Sequence, residues 1–517
     1  MATQLRAPDL INPYQLLARS PADSAFIEDL GLNRLLDQVP FNGPLSRTAA
    51  LQMLVELECD QATLEYRQQL FADLVGNPDL HDQLELLMRR LLVIHRQSSE
   101  FGWASDLPTG LSLLRNYRDL LRNQPDFSSA KSAGLQALTE YLVTLAASTE
   151  LEEIDQFLQQ IEQLGGLELR VSVDSKGVPS ELSTVRLVDQ READVPGFLT
   201  WDEAEAPLHR RQSLRDQGGL NNLGQLLQNF LSREYLAVIY RFNASIAELA
   251  TLLVGVDLYW SLTSNFNSWQ QRGMDICLPE ILPAEQREAS IVGGCNPLIE
   301  SQPDTPLVAN DIHRDSTQNL VLITGANNGG KTTYIKTAGL IQLLGQSGLY
   351  VPAKQARFSR VDGIFSHFVA ADDIGRGEGR YRNELRRMRF ILEQATPFSL
   401  VILDEPCGGT DYLEGQRQSK ILLQGFHLLG AATYFTTHMH EMAASLTGPE
   451  WSALRHLRVM TELDGAELKY LYQVTPGIAE RSYGEQIAAL LGLAEPEVLA
   501  VVRDQASSGG YTELLRE

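Results

Sequence analysis

The stretch LVLITGANNGGKTTYIKTAGLIQLL, starting at Leu320, constrains this chain more than any other. A short apolar run reads as a strand, a glycine-rich loop follows at once, and helical apolar spacing resumes after Thr332. Gly325, Gly329, Gly330, Lys331 and Thr332 fit G-x-x-x-x-G-K-[ST]. Glycine allows a tight turn that aims several backbone N–H groups at one point. The helix amino end adds unpaired donors and its positive dipole end. The expected ligand is a nucleoside triphosphate, with Lys331 on the β- and γ-phosphates and Thr332 on Mg²⁺. The pattern alone arises by chance; the strand before it and the helix after it argue against a turn without a ligand.

A second motif follows. SLVILDEP (399–406) reads as a buried strand ending in two carboxylates. Asp404 is expected to hold magnesium directly or through water, and Glu405 to polarise the attacking water. The run TYFTTH ends at His438, which can reach the γ-phosphate or the attacking water as a sensor. His440 and His427 read as structural. From about Ser290, short apolar runs alternate with helical stretches, the signature of a three-layer α/β unit with a largely parallel sheet.

Residues 1 to about 285 read as mostly helical. The run from Ser232 to Gln270 exceeds a typical helix, so it is one lever-like rod or two helices. ELRVSVDSKGVPSELSTVRLVDQ, from Glu168, alternates like a strand around a Lys-Gly turn: a small hairpin, an irregular insertion, or one arm of a subdomain. His81, His95 and His209 carry no obvious chemistry. Trp260 reads as core, with an interface anchor as the lesser alternative.

The formal net charge of −23 counts against strong nonspecific nucleic-acid binding, although a local basic patch is compatible with it. One basic cluster stands out: Arg376, Arg380, Arg382, Arg386, Arg387 and Arg389. It could contact a second protomer's triphosphate, form salt bridges within an acidic chain, or face nucleic acid. The four cysteines are scattered singly, without the pairing that a zinc site or disulfide framework needs. With no long apolar run and no signal-like start, a cytoplasmic protein without a membrane span is expected.

These motifs resemble the MutS family of DNA mismatch-recognition ATPases. The resemblance rests on residues 320–353, AADD (370–373), LVILDEPCGGTD (400–411), TTHMHE (436–441) and ERSYGEQIAALLGL (480–493). GCNPLIE (294–300) and PLVANDI (306–312) resemble the family's lead-in to its ATPase domain, and residues 30–80 resemble the start of its helical core. The resemblance implies a helical core and lever region followed by an α/β P-loop NTPase domain of the ABC type. The boundaries expected are 1–20 for a lead-in, 21–285 for the helical core with a small insertion at 165–205, 286–480 for the ATPase domain, and 481–517 for a helical dimerisation region. It implies ATP and Mg²⁺ as cofactors, with Asn328 and Thr333 joining the nucleotide-binding loop and Leu307 beside the adenine. A homodimer with composite sites and DNA as partner are also implied.

Departures from the family pattern narrow the reading. The core begins near residue 20, which leaves no room for the family's mismatch-reading and connector domains. Phe26-Ile27-Glu28 matches the Phe-x-Glu wedge in spacing only. Gly377-Glu-Gly-Arg380-Tyr replaces the usual Ser/Thr-rich trans loop, so Arg380 is the candidate for the partner's γ-phosphate. Residues 406–411 are closer to the D-loop of transporter-type ATPases, and residues 160–205 are too acidic for a DNA-gripping tip. The expected function is an ATP-dependent DNA-binding protein that acts on branched rather than mismatched DNA. The alternative is a mechanical ATPase working on ribosomes, RNA or a protein.

Overall fold

The computed structural model describes residues 6–10, 23–57, 60–104, 107–162, 164–173, 179–189, 212–213, 223–300, 307–368, 377–464, 467–479 and 488–509. The chain forms two compact units: Met1–Pro13 with Asn77–Trp260, and Tyr14–Gly76 with Ser261–Glu517. This division differs from the expected helical region at 21–285, because residues 14–76 group with residues 261–517.

Those helices are α1 (Ala25–Asp29), α2 (Leu32–Asp37), α3 (Pro44–Val55) and α4 (Gln61–Gly76). Their apolar spacing defines a buried face but does not name what it packs on. A Cβ on Gly339 would lie 2.8 Å from a Leu30 methyl and 2.6 Å from an Ile402 methyl, so a larger residue there would make both side chains shift. Gln346 donates to Leu57 O at 2.6 Å, and the buried Arg67 pairs with Glu56 at 3.4 Å. Phe26 is fully buried, which removes it as a wedge.

The helical unit contains α5 (Pro78–Ala104), α6 (Leu107–Arg122), α7 (Ala133–Ala146) and α8 (Thr149–Glu162). On α6, Leu113, Leu114, Tyr117, Leu120 and Leu121 are buried at helical spacing. Strands β1 (Leu164–Val173) and β2 (Pro179–Asp189) pair as an antiparallel hairpin, with β3 (Gln212–Ser213) against β2. The hairpin is therefore the alternative that holds for that stretch. Next come α9 (Leu223–Ala250) and α10 (Leu252–Gln271), so the long helical run is two helices. Helix α10 contributes to both units. Residues Tyr235–Gln271 have the length and composition to cross a membrane. Yet α10 buries Asp257, Ser261, Thr263 and Asn265 with Tyr259, Phe266 and Trp269, the mixture of a protein-core helix.

The second unit, which carries the glycine-rich loop, has two sheets. The smaller has the order β4 (Glu280–Leu282), β8 (Gln355–Ser359), β5 (Ala289–Gly294), β6 (Asn310–Arg314). The larger has six strands in the order β13 (Glu467–Pro476), β12 (Leu454–Asp464), β7 (Leu320–Thr324), β11 (Ala432–Thr437), β10 (Leu400–Leu403), β9 (Ile364–His367). All its pairs are parallel except β12–β13. Every residue of β7, β10 and β11 is buried, as expected for a parallel sheet covered on both faces. Helices α11 (Lys331–Gln346), α12 (Gly377–Gln394), α13 (Tyr412–Leu429), α14 (His440–Ser445) and α15 (Glu495–Gly509) complete the unit. Leu322, Val401, Leu403, Leu423, Phe426 and Phe435 lie in one core cluster. Three neighbouring parallel strands thus end at one edge, each delivering a motif residue there.

Candidate functional site

Strand β7 ends at Thr324, and the chain turns sharply into α11. Gly325 and Gly330 adopt φ of +150° and +102°, and Asn328 adopts +63°, a region that asparagine tolerates better than most residues. A Cβ on Gly329 would sit 3.0 Å from Ala326 O. No side chain caps α11, whose first-turn N–H groups face the loop. Lys331 is almost wholly buried. Its Nζ donates to Gly325 O at 2.9 Å and Ala326 O at 3.2 Å, and lies 3.1 Å from Glu405 Oε1.

Two chains of polar contacts meet beside this loop. In the first, Asp404 accepts from the Thr332 hydroxyl at 2.8 Å and from the Thr436 hydroxyl at 2.6 Å. Burial pushes the Asp404 carboxyl above its usual range, against the two hydroxyls and Lys331. Such a carboxylate has strong reason to bind a cation. In the second, Glu405 bridges Lys331 and His438, whose Nδ1 lies 3.3 Å from Oε2. The His438 contact and the Lys331 charge, working against burial, bring the Glu405 pKa down to about 2. Glu405 has φ of +48°, a left-handed conformation costly for a side chain of its size, and its N–H donates to Thr436 Oγ1 at 3.0 Å.

Thr436 was not singled out in the sequence, although it joins both chains. A hydroxyl within a fully buried strand must find partners, and that is the signal that could have marked it. Asp411, in the D-loop-like segment, accepts from Leu413 N and Glu414 N as the N-cap of α13. Buried Cys407 takes φ of +67°, and Gly409 packs against the Glu384 carboxylate. His440 stands two residues beyond His438; burial and the Lys331 charge depress its pKa.

A cavity of about 380 Å³ adjoins the loop, lined by Leu307, Val308, Asn310, Gly330, Thr333 and Tyr472, among others. Leu307 and Thr333 thus lie on one cavity wall. Tyr472 was not singled out in the sequence. It adopts φ of +56°, and its ring lies 3.2 Å from where a Gly330 Cβ would stand. Asn310 fixes this strained residue, donating to Tyr472 O at 2.9 Å and accepting from Val474 N at 2.7 Å.

The basic cluster divides. Arg387 pairs with Asp23 and donates to Ser366 O, and Arg389 pairs with Glu393 at 2.7 Å. Salt bridging is what these two do. Arg382 and Arg386 are exposed. The Arg380 side chain, Arg376, AADD (370–373) and residues 480–487 lie outside the described residues.

A model of MutS domain V matches residues 321–508. The chain is 37% identical over 343 residues to the DNA mismatch repair protein MutS of Synechococcus sp. (strain CC9902), covering 61% of this chain and 36% of that protein. The Thermus aquaticus protein of the same name is 34% identical over 259 residues, covering 50% and 30%. That of Halalkalibacterium halodurans is 33% identical over 248 residues, covering 44% and 28%. The chain spans about a third of the length of the curated relatives it matches.

Proposed function

We propose, from the premise that residues 321–508 are a MutS-family ATPase domain, that this chain binds ATP with Mg²⁺ and hydrolyses it. The observation that carries the reading is the convergence of Thr332–Asp404–Thr436 and Lys331–Glu405–His438 at one loop. Thr332 and Asp404 offer hard oxygen donors, and this pair suits a magnesium ion that keeps waters and phosphate oxygens in its remaining positions. The ion would neutralise charge developing on the phosphates. Lys331 exchanges its loop-carbonyl partners for phosphate oxygens. Glu405 then loses much of its ion pair, its pKa rises from about 2, and it becomes a better acceptor for a water proton. His438 orients that carboxylate. Leu307 and Tyr472 would hold the adenine between them, and Asn328, Gly329, Gly330 and Thr333 would line the phosphate path.

The chain acts as a homodimer on DNA in this reading. Support comes from the mismatch-repair relatives and from the apolar residues Leu490, Leu491, Leu493, Leu499 and Val501, which are exposed at the carboxyl end. Arg380 is the candidate for reaching the partner's triphosphate. The second reading is a mechanical ATPase on RNA, ribosomes or a protein; the net charge of −23 counts against nonspecific grip on any nucleic acid and so favours the protein partner within it. The test is ATPase rate in the presence of duplex, junction and single-stranded DNA, RNA and ribosomes, at low and physiological salt. Stimulation by junction DNA supports the first reading. Stimulation by RNA or ribosomes alone replaces it with the second.

A further inference from the structure

A second cavity, of about 320 Å³, lies at the opposite end of the β5–β6 pair from the nucleotide-side cavity. Its wall carries Arg314, Arg357, Arg455 and His313, with Glu288 and Asp315. Three guanidinium groups around one cavity are unexpected in so acidic a chain.

The carboxylates present are already engaged. Asp315 Oδ1 accepts from Thr317 N at 2.8 Å, the Thr317 hydroxyl at 2.6 Å and Gln318 N at 2.7 Å. Arg357 takes Glu280 at 3.2 Å and Glu288 at 3.6 Å. Arg314 and Arg455 remain, and neither forms an ion pair among the described residues. Arg314 is only 6% exposed. It donates to Arg287 O at 3.2 Å and bonds the Tyr434 phenol, while its Nε has no partner. Arg455 donates to His313 O at 3.3 Å. Arg314 is hydrogen-bonded only to neutral groups, and the nearby Asp315 charge offsets its burial only in part; a buried cation without a contacting anion is costly. The planar fork of arginine suits a phosphoryl group, and the cavity has room for a small organic phosphate.

We propose that this cavity binds a phosphoryl group, as free phosphate or as a small phosphate monoester, at a site separate from the phosphate-binding loop. The proposal does not depend on ATP hydrolysis. The test is calorimetric titration of the full chain with inorganic phosphate, glycerol phosphate and chloride. It is run on the MgADP-saturated protein and on Lys331→Ala, which disables the loop. Phosphate or monoester should bind in both backgrounds, and the tighter of the two identifies the source. Arg455→Gln should weaken binding by about tenfold or more, the ratio that ~1.4 kcal/mol sets. Arg389→Gln, on the exposed face of α12, should leave it unchanged. Should Arg314→Gln fail to fold, the half-buried Arg455→Gln carries the test alone. Binding no stronger than that of chloride, or unaltered by Arg455→Gln, overturns the proposal.

Discussion

The ATPase unit and the helical unit bury different chemistry. In residues 77–260, the buried polar side chains among the described residues are Ser132 and Asp257; the remainder of the interior is apolar or aromatic, most of it leucine. The ATPase unit buries Lys331, Thr324, Thr433, Thr436, Thr437, Ser366 and Glu384, most of them in or next to the central strands. Apolar burial is non-directional, so many sequences satisfy the helical unit. A buried lysine or carboxylate requires a particular partner at a particular distance, so few sequences satisfy the other. The first unit should therefore respond to substitution through stability and the second through chemistry.

The sharpest way to break that contrast is Glu405→Gln. Removing the water-polarising carboxylate should lower turnover by about 10²–10⁴-fold while ATP still binds. Single-turnover hydrolysis with a parallel binding titration separates the two effects, and near-normal turnover would overturn the assignment. The same variant gives a pH signature. Glu405 has a folded-state pKa of about 2 against 4.5 for an unperturbed glutamate, so the unfolded state binds its proton first. Its stabilisation is fully present above about pH 4.5 and lost as pH falls toward 2. The stability gap between wild type and Glu405→Gln, measured by denaturant midpoints, should shrink across that window.

The counterpart in the helical unit is Leu142→Ala. Leu142 is fully buried on α7. Its truncation should cost about 2–5 kcal/mol by denaturant unfolding. Turnover per folded molecule, without DNA, should stay within error of wild type. A loss of turnover matching that of Glu405→Gln would mean that the two units do not divide labour in this way.

The contrast also explains what could be read from sequence. Gly325, Lys331, Thr332, Asp404, Glu405 and His438 lie in short motifs with fixed spacing after apolar strands, and each strand end was legible. Thr436 and Tyr472 were missed because their roles depend on partners distant in sequence, Asp404 for the first and Asn310 and Gly330 for the second. The packing of α3 on α11 and of α1 on β9 was missed for a related reason: periodicity gives a helix its buried face but not the surface that face meets. The β1–β2 hairpin was legible from its alternation and turn, but not its context.

Asp411→Ala is a smaller effect and sharpens the comparison inside the ATPase unit. In sequence, this aspartate resembles a D-loop residue. In the structure, it caps α13 by accepting from Leu413 N at 3.0 Å and Glu414 N at 3.1 Å. Loss of the cap should cost about 1 kcal/mol. Asp411→Asn or Asp411→Ser should restore most of that stability. If the cap is all it provides, those two variants should restore turnover as well; failure of turnover with stability regained would give Asp411 a role at the partner's site.

The smallest expected effect tests whether strain in the ATPase unit serves the nucleotide. Tyr472 is held at φ of +56°, where a side chain costs about 1 kcal/mol that glycine avoids. Tyr472→Gly should therefore leave stability level or raise it, even though the ring is lost. The ring faces the cavity beside Leu307 and Gly330, so ATP affinity should fall, by about 0.5–1.5 kcal/mol if stacking on adenine is its role. Tyr472→Phe keeps ring and strain together and should match wild type in both measurements. Opposite movements of stability and affinity in the glycine variant would mean that the asparagine clamp at Asn310 maintains a strained backbone for binding. If both fall together, Tyr472 is ordinary packing, and the adenine is held from the Leu307 side.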